Sequence, residues 1–458
     1  MTISARPPAT GAATTARPPQ GSASWTARDA AAVWHPFTQH ATWIDDEPTV
    51  VERAEGPWLI DVDGRRHLDG VSSLWTTTIG HCHPEVNAAV AEQLAKLDHS
   101  TFLGTTHVPG IELAETLIDL APKGDDLELT KVFYAGDGSS AVEAALKIAY
   151  QYSCQTGRPR PEFVRLEHAY HGDTLGAVSV GGHDLFHATY RPLLLETIGI
   201  PSPGDRALGA GRNEAAIAEL RAVMRARGDT VCAVIVEPMI QGAAGMLDYD
   251  ASFLRAARDL AYAHGALLIF DEVATGFGRT GRMWAADHAG VVPDLLTCGK
   301  GITAGYLPLS AVLAAEHVYE AFLARPGDTG PRTFFHGHTY TGNPLCCAAA
   351  LAGLRVMAEQ DVIGRAAALG ERLGALLEPL AAHPGVTEIR RLGTMTGVEL
   401  APATDRTGFD VCQAARRRGV WLRPLGDTVI LMPPLTLGES ETDLLVTALA
   451  EAVDEVCS

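Results

Sequence analysis

The segment Ala266-Leu267-Leu268-Ile269-Phe270-Asp271-Glu272-Val273 decides how this chain is read. A short apolar run after a helical stretch, closed by two acids, reads as a buried strand that delivers a carboxylate at its carboxyl end. Further on, Pro293-Asp294-Leu295-Leu296-Thr297-Cys298-Gly299-Lys300-Gly301 repeats the arrangement with a lysine at the strand end. Lysine is scarce: Lys96, Lys123, Lys131, Lys147 and Lys300 are all there are, and only Lys300 lies between two glycines behind an apolar strand. An acid on one strand and an amine on the next suit pyridoxal phosphate, whose aldehyde condenses with a lysine and whose ring nitrogen is kept protonated by a carboxylate. Taken alone, the segment also fits an exposed loop lysine.

Around this pair, strand-like runs alternate with helical ones. They are Lys131–Tyr134, a helix from Ala141 to Tyr152, Glu162–Leu166, Val231–Val236, a helix from near Ala251 to His264, and Ala266–Phe270. Continuous apolar strands separated by amphipathic helices predict an α/β fold with a mostly parallel sheet buried on both faces, with ligands beyond the carboxyl ends of the strands. Trp58–Val62 and His67–Asp69 flank Asp63-Gly64-Arg65 and predict a hairpin. After Asn343-Pro344, helices over Leu345–Glu359 and Ile363–Leu380 precede strands near Val386–Ile389, Met395–Leu400 and Thr428–Met432, a smaller α+β unit. The expected division is a disordered tail over 1–27, an N-terminal part of the small domain over 28–80, a large domain over 81–344, and the rest of the small domain over 345–458.

The 458 residues suffice for a large core, and no uncharged apolar stretch approaches the ~20 residues needed to cross a bilayer. A formal charge of −19 argues against nucleic-acid or anionic-membrane partners. The expectation is therefore a cytoplasmic protein that acts on small molecules. Eight cysteines without C-x-x-C spacing suggest neither zinc nor a disulfide framework. Met1 to Ser24 is rich in Ala, Thr, Pro, Gly and Ser, and resembles a transit peptide in composition, but it reads better as a disordered tail.

Three further segments bear on chemistry. Tyr134-Ala135-Gly136-Asp137-Gly138-Ser139-Ser140-Ala141-Val142-Glu143 puts small residues between a strand and a helix start, where free backbone N–H groups attract a phosphate, although Ser and Asp also cap ordinary helices. Glu167-His168-Ala169-Tyr170-His171-Gly172-Asp173-Thr174 brings an aromatic ring, a histidine and an acid to the same sheet edge, where Tyr170 either stacks on a planar cofactor or packs in the core. Gly276-Phe277-Gly278-Arg279-Thr280-Gly281 matches a dinucleotide fingerprint literally but lacks its context, so its glycines are expected to shape a loop. His81, His83, His336 and His338 have i,i+2 spacing without further ligands nearby, and a metal reading is rejected.

With these residues in view, Asp271 to Gly281 followed by Lys300 resembles the signature of the class III pyridoxal-phosphate aminotransferases, over nearly the whole chain from Trp34. Trp34-His35-Pro36-Phe37-Thr38-Gln39, Ser72-Ser73-Leu74-Trp75, Tyr170 to Thr174, His336 to Pro344 and Trp421 to Gly426 resemble its adenosylmethionine–8-amino-7-oxononanoate aminotransferase branch. The resemblance implies a fold type I transferase that aminates 8-amino-7-oxononanoate to 7,8-diaminononanoate for biotin synthesis. It implies Lys300 as the residue bonded to the cofactor, Asp271 at the pyridine nitrogen, Tyr170 near ring and substrate, and Gly138 and Ser139 at the phosphate. His338 and Thr339 would reach that phosphate from the neighbouring subunit of a homodimer. Leu74, Trp75, Gly337 and Arg423 would border the substrates, with the Arg423 fork suited to a far carboxylate. Phe37, Leu74 and His338 depart from the better-known branch at the donor pocket, so the amino donor is either S-adenosylmethionine or lysine. The rivals are another class III enzyme of acetylornithine or 4-aminobutyrate type, a pyridoxal decarboxylase or racemase, and a non-catalytic nucleotide-binding module.

Overall fold

Apolar runs at 129–135, 162–166, 231–236, 267–271 and 295–298 become the spine of a seven-stranded sheet in the computed structural model, which describes residues 21–124, 127–182, 188–328 and 330–458. The strand order is Leu129–Ala135, Ser310–Ala315, Leu295–Cys298, Leu267–Asp271, Val231–Val236, Glu162–Leu166 and Ile198–Ile200. Every residue of Val231–Val236, Leu267–Asp271, Leu295–Cys298 and Ser310–Ala315 is buried, as a sheet covered on both faces by helices requires.

The sheet is mostly parallel, as expected, with one antiparallel strand. Ser310–Ala315 runs antiparallel to both its neighbours, pairing Leu296 with Leu313 on one side and Val312 with Phe133 on the other. The chain between Cys298 and Ser310 is too short for a crossover helix, so it can only return beside the strand it left. The remaining register is parallel, with Phe270 opposite Val236 and Leu296.

A four-stranded antiparallel sheet is built from Val386–Leu392, Met395–Leu400, Thr428–Leu431 and Arg423–Leu425. The predicted hairpin is present as Trp58–Asp61 and Arg66–Asp69, flanked by Val51–Glu55, and its last strand pairs in parallel with Val420–Trp421. That pairing joins the N-terminal hairpin to the C-terminal region. Buried apolar residues form two clusters, one around the large sheet and one joining Leu68, Val71 and Trp75 to Ile240, Ala243, Met246 and residues from 369 to 453. The Pro344–Glu359 helix buries its apolar face in the first cluster.

The expected tail falls outside the described residues as far as Gln20, and from Ser22 it is corrected. Ser22–Ala30 is a helix, anchored where Ser22 N–H donates to Asp63 Oδ1 at 3.2 Å. The second helix of the C-terminal region ends at Leu377 and continues as a 3₁₀ turn over Glu378–Ala382. Pro379 removes the backbone donor that an α-helix would need there. The glycines at 276, 278 and 281 do shape a loop, and the Arg279 guanidinium within it is buried and donates to the Pro433 carbonyl at 2.6 Å and the Thr77 carbonyl at 3.2 Å.

Candidate active site

Five strands of the large sheet end at one edge, and the residues just past those ends converge. Leu129–Ala135 leads to Gly138 and Ser139, Glu162–Leu166 to Tyr170 and His171, and Val231–Val236 to Glu237; the last two deliver Asp271 and Lys300. With Trp75 and Val273 they line a cavity of ≈ 180 Å³. A wider cleft of ≈ 920 Å³ lies elsewhere, between the N-terminal helix and Thr407–Arg417, and mixes small and apolar residues with carboxylates and arginines.

The helix Gly138–Gln155 starts at this edge because Asp137 caps it, accepting from Ser140 N–H at 2.9 Å and Ser140 Oγ–H at 2.9 Å. Ser310 Oγ–H donates to the Asp137 carbonyl at 2.5 Å, so the antiparallel strand fixes the loop as well. Ser139 Oγ accepts from Asp173 N–H at 3.1 Å, and Gly172 passes beside it at φ +121°, where a Cβ would lie 2.0 Å from that oxygen. The first-turn N–H groups at Gly138 and Ser139 form the anion-attracting end of the helix.

Asp271 is buried and held by three donors. Val273 N–H and Thr297 Oγ–H reach its Oδ1 at 3.0 and 3.2 Å, and His171 Nδ1 pairs with Oδ2 at 2.7 Å. Such support keeps a carboxylate fixed in place to face a cation. His171 Nε2 is buried without a partner among the described residues.

Lys300 opens a 3₁₀ turn at φ +44°. Burial lowers the pKa of its amine, against the opposing charges of Asp271 and Glu237, with Arg279 adding to the lowering. The result is an amine biased toward its neutral, nucleophilic form. Its Nζ lies 4.9 Å from the centre of the Trp75 ring. Tyr170 O–H donates to Asp173 Oδ2 at 2.7 Å, and burial foremost, then Asp173, raises the tyrosine pKa. Arg423 enters from the smaller sheet, half-buried, and its charge acts on Tyr170 in the opposite direction.

The structure therefore brings together Lys300, Asp271, Tyr170, Gly138, Ser139 and Trp75, with Arg423 electrostatically coupled to Tyr170. It does not bring Leu74, Gly337, His338 or Thr339 into the cavity lining. Leu74 is exposed, and Gly337, His338 and Thr339 belong to a surface loop in which the His338 ring lies against Gly136. Sequence reasoning left two residues without a role, Glu237 and His171. Glu237 accepts from Tyr170 N–H at 3.1 Å and Gly242 N–H at 3.0 Å, and burial pushes its carboxyl up to about 7 while His171 opposes the shift. The signal for Glu237 was available, since it follows the all-apolar strand Val231–Val236 just as Asp271 closes its own.

Comparison with known proteins gives a consistent result. The family described as aminotransferase class-III matches residues 40–453. An adenosylmethionine-8-amino-7-oxononanoate aminotransferase of Nitratidesulfovibrio vulgaris is 49% identical over 442 residues, covering 93% of this chain and 80% of the relative. One of Geobacter sulfurreducens is 43% identical over 93% of this chain and 97% of its own length. Among solved structures, the adenosylmethionine-8-amino-7-oxononanoate aminotransferase of Methanocaldococcus jannaschii superposes with a TM-score of 0.89 at 37% identity, over 95% of this chain and 100% of that one. An (S)-enantioselective omega-transaminase from Thermomicrobium roseum gives 0.89 at 33% identity, over 96% and 100%. With an acid and a half-buried lysine at adjacent strand ends, a match over most of its length and relatives well above 30% identity, this chain belongs to the class-III aminotransferase family.

Proposed function

We propose that this chain binds pyridoxal 5′-phosphate and transfers an amino group to the 7-keto carbon of 8-amino-7-oxononanoate, giving 7,8-diaminononanoate, a step in biotin synthesis. The observation that carries the reading is the buried Lys300 amine beside Asp271 in one cavity, at the end of a phosphate-attracting helix. The residues fit the cofactor. Gly138 leaves no room for a side chain, since a Cβ there would lie 2.7 Å from Val273 Cγ1, and the His171 Nε2 and Trp75 Nε1 atoms are buried without partners among the described residues.

When bound, pyridoxal phosphate supplies an aldehyde for the amine and a ring that accepts the electron pair left when a carbon gives up its proton. Gly138 and Ser139 would hold the phosphate through backbone N–H groups and a hydroxyl. Asp271, oriented by His171, Thr297 and Val273 N–H, would keep a proton on the ring nitrogen. Lys300 would be the residue that bonds to the aldehyde, and its Nζ, when free, would be the group placed to take and return the proton that moves in the reaction. Lys300 Nζ would move the proton in the opposite sense when the keto substrate is aminated. Trp75 and Tyr170 shield Lys300 from water, and Arg423 binds the far carboxylate of 8-amino-7-oxononanoate.

The reading extends to a homodimer in which Gly337, His338 and Thr339 of each copy serve the partner's site and Leu74 borders the donor pocket. Exposed Leu103, Phe335 and Tyr340 on that side of the molecule support it. The donor is S-adenosylmethionine or lysine. The domain division is proposed as 28–80 and 345–458 against 81–344; the cluster that joins Leu68, Val71 and Trp75 to residues from 369 to 453 supports it, although Ile240, Ala243 and Met246 also pack there. Among the described residues no cysteine is paired and no helix is long and apolar enough to cross a membrane, which supports a cytoplasmic location.

The test offers S-adenosylmethionine and lysine separately with 8-amino-7-oxononanoate and measures diaminononanoate, alongside borohydride reduction and peptide mapping. Product from one donor and a label on Lys300 are expected, while Lys300→Ala should fold and lose transamination. Turnover of 4-aminobutyrate or acetylornithine in place of 8-amino-7-oxononanoate would overturn the substrate, and a label elsewhere would overturn Lys300.

A further inference from the structure

The wall of the cavity opposite Lys300 is held in an unusual backbone. Ser72, Ser73 and Trp75 all have positive φ, at 50°, 61° and 65°, within four consecutive residues that include no glycine. Ser73, at φ 61° and ψ −69°, adopts the γ-turn of positive φ, a rare and strained conformation for an L-residue. Backbone of this kind persists only where its surroundings over-determine it.

The surroundings are named side chains. Asp69, fully buried, accepts from Ser73 N–H at 2.8 Å through Oδ1 and from Ser73 Oγ–H at 3.0 Å through Oδ2. The same Oδ2 pairs with His81 Nε2 at 2.8 Å, and His81 is fixed in turn by a two-way backbone bridge to Gly56. Ser72 Oγ–H donates to the Met432 carbonyl at 2.8 Å, and Arg279 donates to the Thr77 carbonyl. Both sides of the turn are thereby anchored. Trp75 leaves the turn buried, over Lys300 and packed on Gly242, where a Cβ would lie 3.4 Å from Trp75 Cζ3.

We propose that Asp69 is a positioning residue for the reaction: it holds Ser73 in the strained turn, and the turn sets the Trp75 ring over the Lys300 amine. His81 fixes the carboxylate from its other side. The ring excludes water from the amine, consistent with the lowering of the Lys300 pKa by burial. The inference rests on Lys300 being the reacting amine. Its primary readout uses the apoprotein, so it can fail without that reading failing.

The experiment measures the pKa of Lys300 in the apoprotein by limiting acetic-anhydride labelling over a pH series with peptide mapping, together with kcat and KM of the holoenzyme. In Asp69→Ala the Lys300 pKa should rise by about one unit as water reaches the amine, and kcat should fall about 10- to 100-fold through misplacement. Ser73→Val, an exposed substitution that opposes positive φ, should do the same while leaving the core intact, and carries the test if Asp69→Ala does not fold. Ser73→Gly tolerates the turn and should stay near wild type; combined with Asp69→Ala it should recover much of kcat. A Lys300 pKa and kcat unchanged in Ser73→Val, or no recovery in a folded double variant, would overturn the proposal. Wild-type holoenzyme carrying no label on Lys300 would instead overturn the parent reading and leave the labelling result standing.

Discussion

Lys300 and Arg423 meet the two demands of the proposed reaction, moving a proton and gripping a carboxylate, with opposite electrostatics. Burial lowers the pKa of both, yet an ammonium gives up its proton under that pressure and a guanidinium keeps its charge. Arg423→Ala should raise KM for 8-amino-7-oxononanoate roughly 10- to 100-fold, the worth of about 1.5–3 kcal/mol for a hydrogen bond to a charged group, with a smaller change in kcat. Arg423→Lys should not restore it, because one ammonium cannot reproduce a planar fork. Steady-state kinetics at saturating donor read this out, and an unchanged KM would place the carboxylate elsewhere. Residue by residue, the chemistry-bearing groups were legible because they sit at strand ends next to apolar runs. What they touch was not: the His171–Asp271 contact spans a hundred positions, and no local pattern encodes it.

Among the elements, the strand–cap–helix unit from Leu129 to Gln155 shows how a loop becomes a cradle. Its capping residue, small residues and apolar strand were readable from local chemistry, but the close approach of Val273 to Gly138 comes from a strand three places across the sheet. Gly138→Ala should push the Val273 side chain into the cavity and weaken cofactor binding by about 1–3 kcal/mol, the usual range for overpacking. Adding Val273→Ala should recover most of it. Titration of the apoprotein with pyridoxal phosphate measures both, and equal affinity in wild type and Gly138→Ala would show that the helix start does not border the cofactor. Ser310–Ala315 was not anticipated, because an alanine-rich segment has weak strand propensity. Its small residues serve packing against the Gly138–Gln155 helix and the direction forced by a short return.

At the scale of the molecule, placing an amine in the interior links folding to pH. Lys300 has a lowered pKa in the folded state, so between that value and 10.5 the unfolded chain binds the additional proton, and stability contributed by this group rises with pH through the window. In the apoprotein, Lys300→Met should flatten this slope and stabilise most at the low-pH end, where wild type must bury a charge or release a proton. Urea unfolding across the range checks it; parallel wild-type and variant curves would mean that Lys300 titrates alike in both states.

From the sequence alone came the α/β class, most strand and helix positions, the lysine, the acid, the phosphate-attracting loop and the resemblance to class III enzymes. These are local matters, written in apolar periodicity, capping residues and the few residue types able to do the chemistry. Tertiary structure decided the antiparallel strand, the burial that shifts Lys300 and Glu237, the His171 partnership, and the anchoring of the Ser72–Trp75 turn by Asp69. Each depends on groups distant in the chain or on how far water is excluded, and desolvation is a property of the assembled interior that no single segment carries.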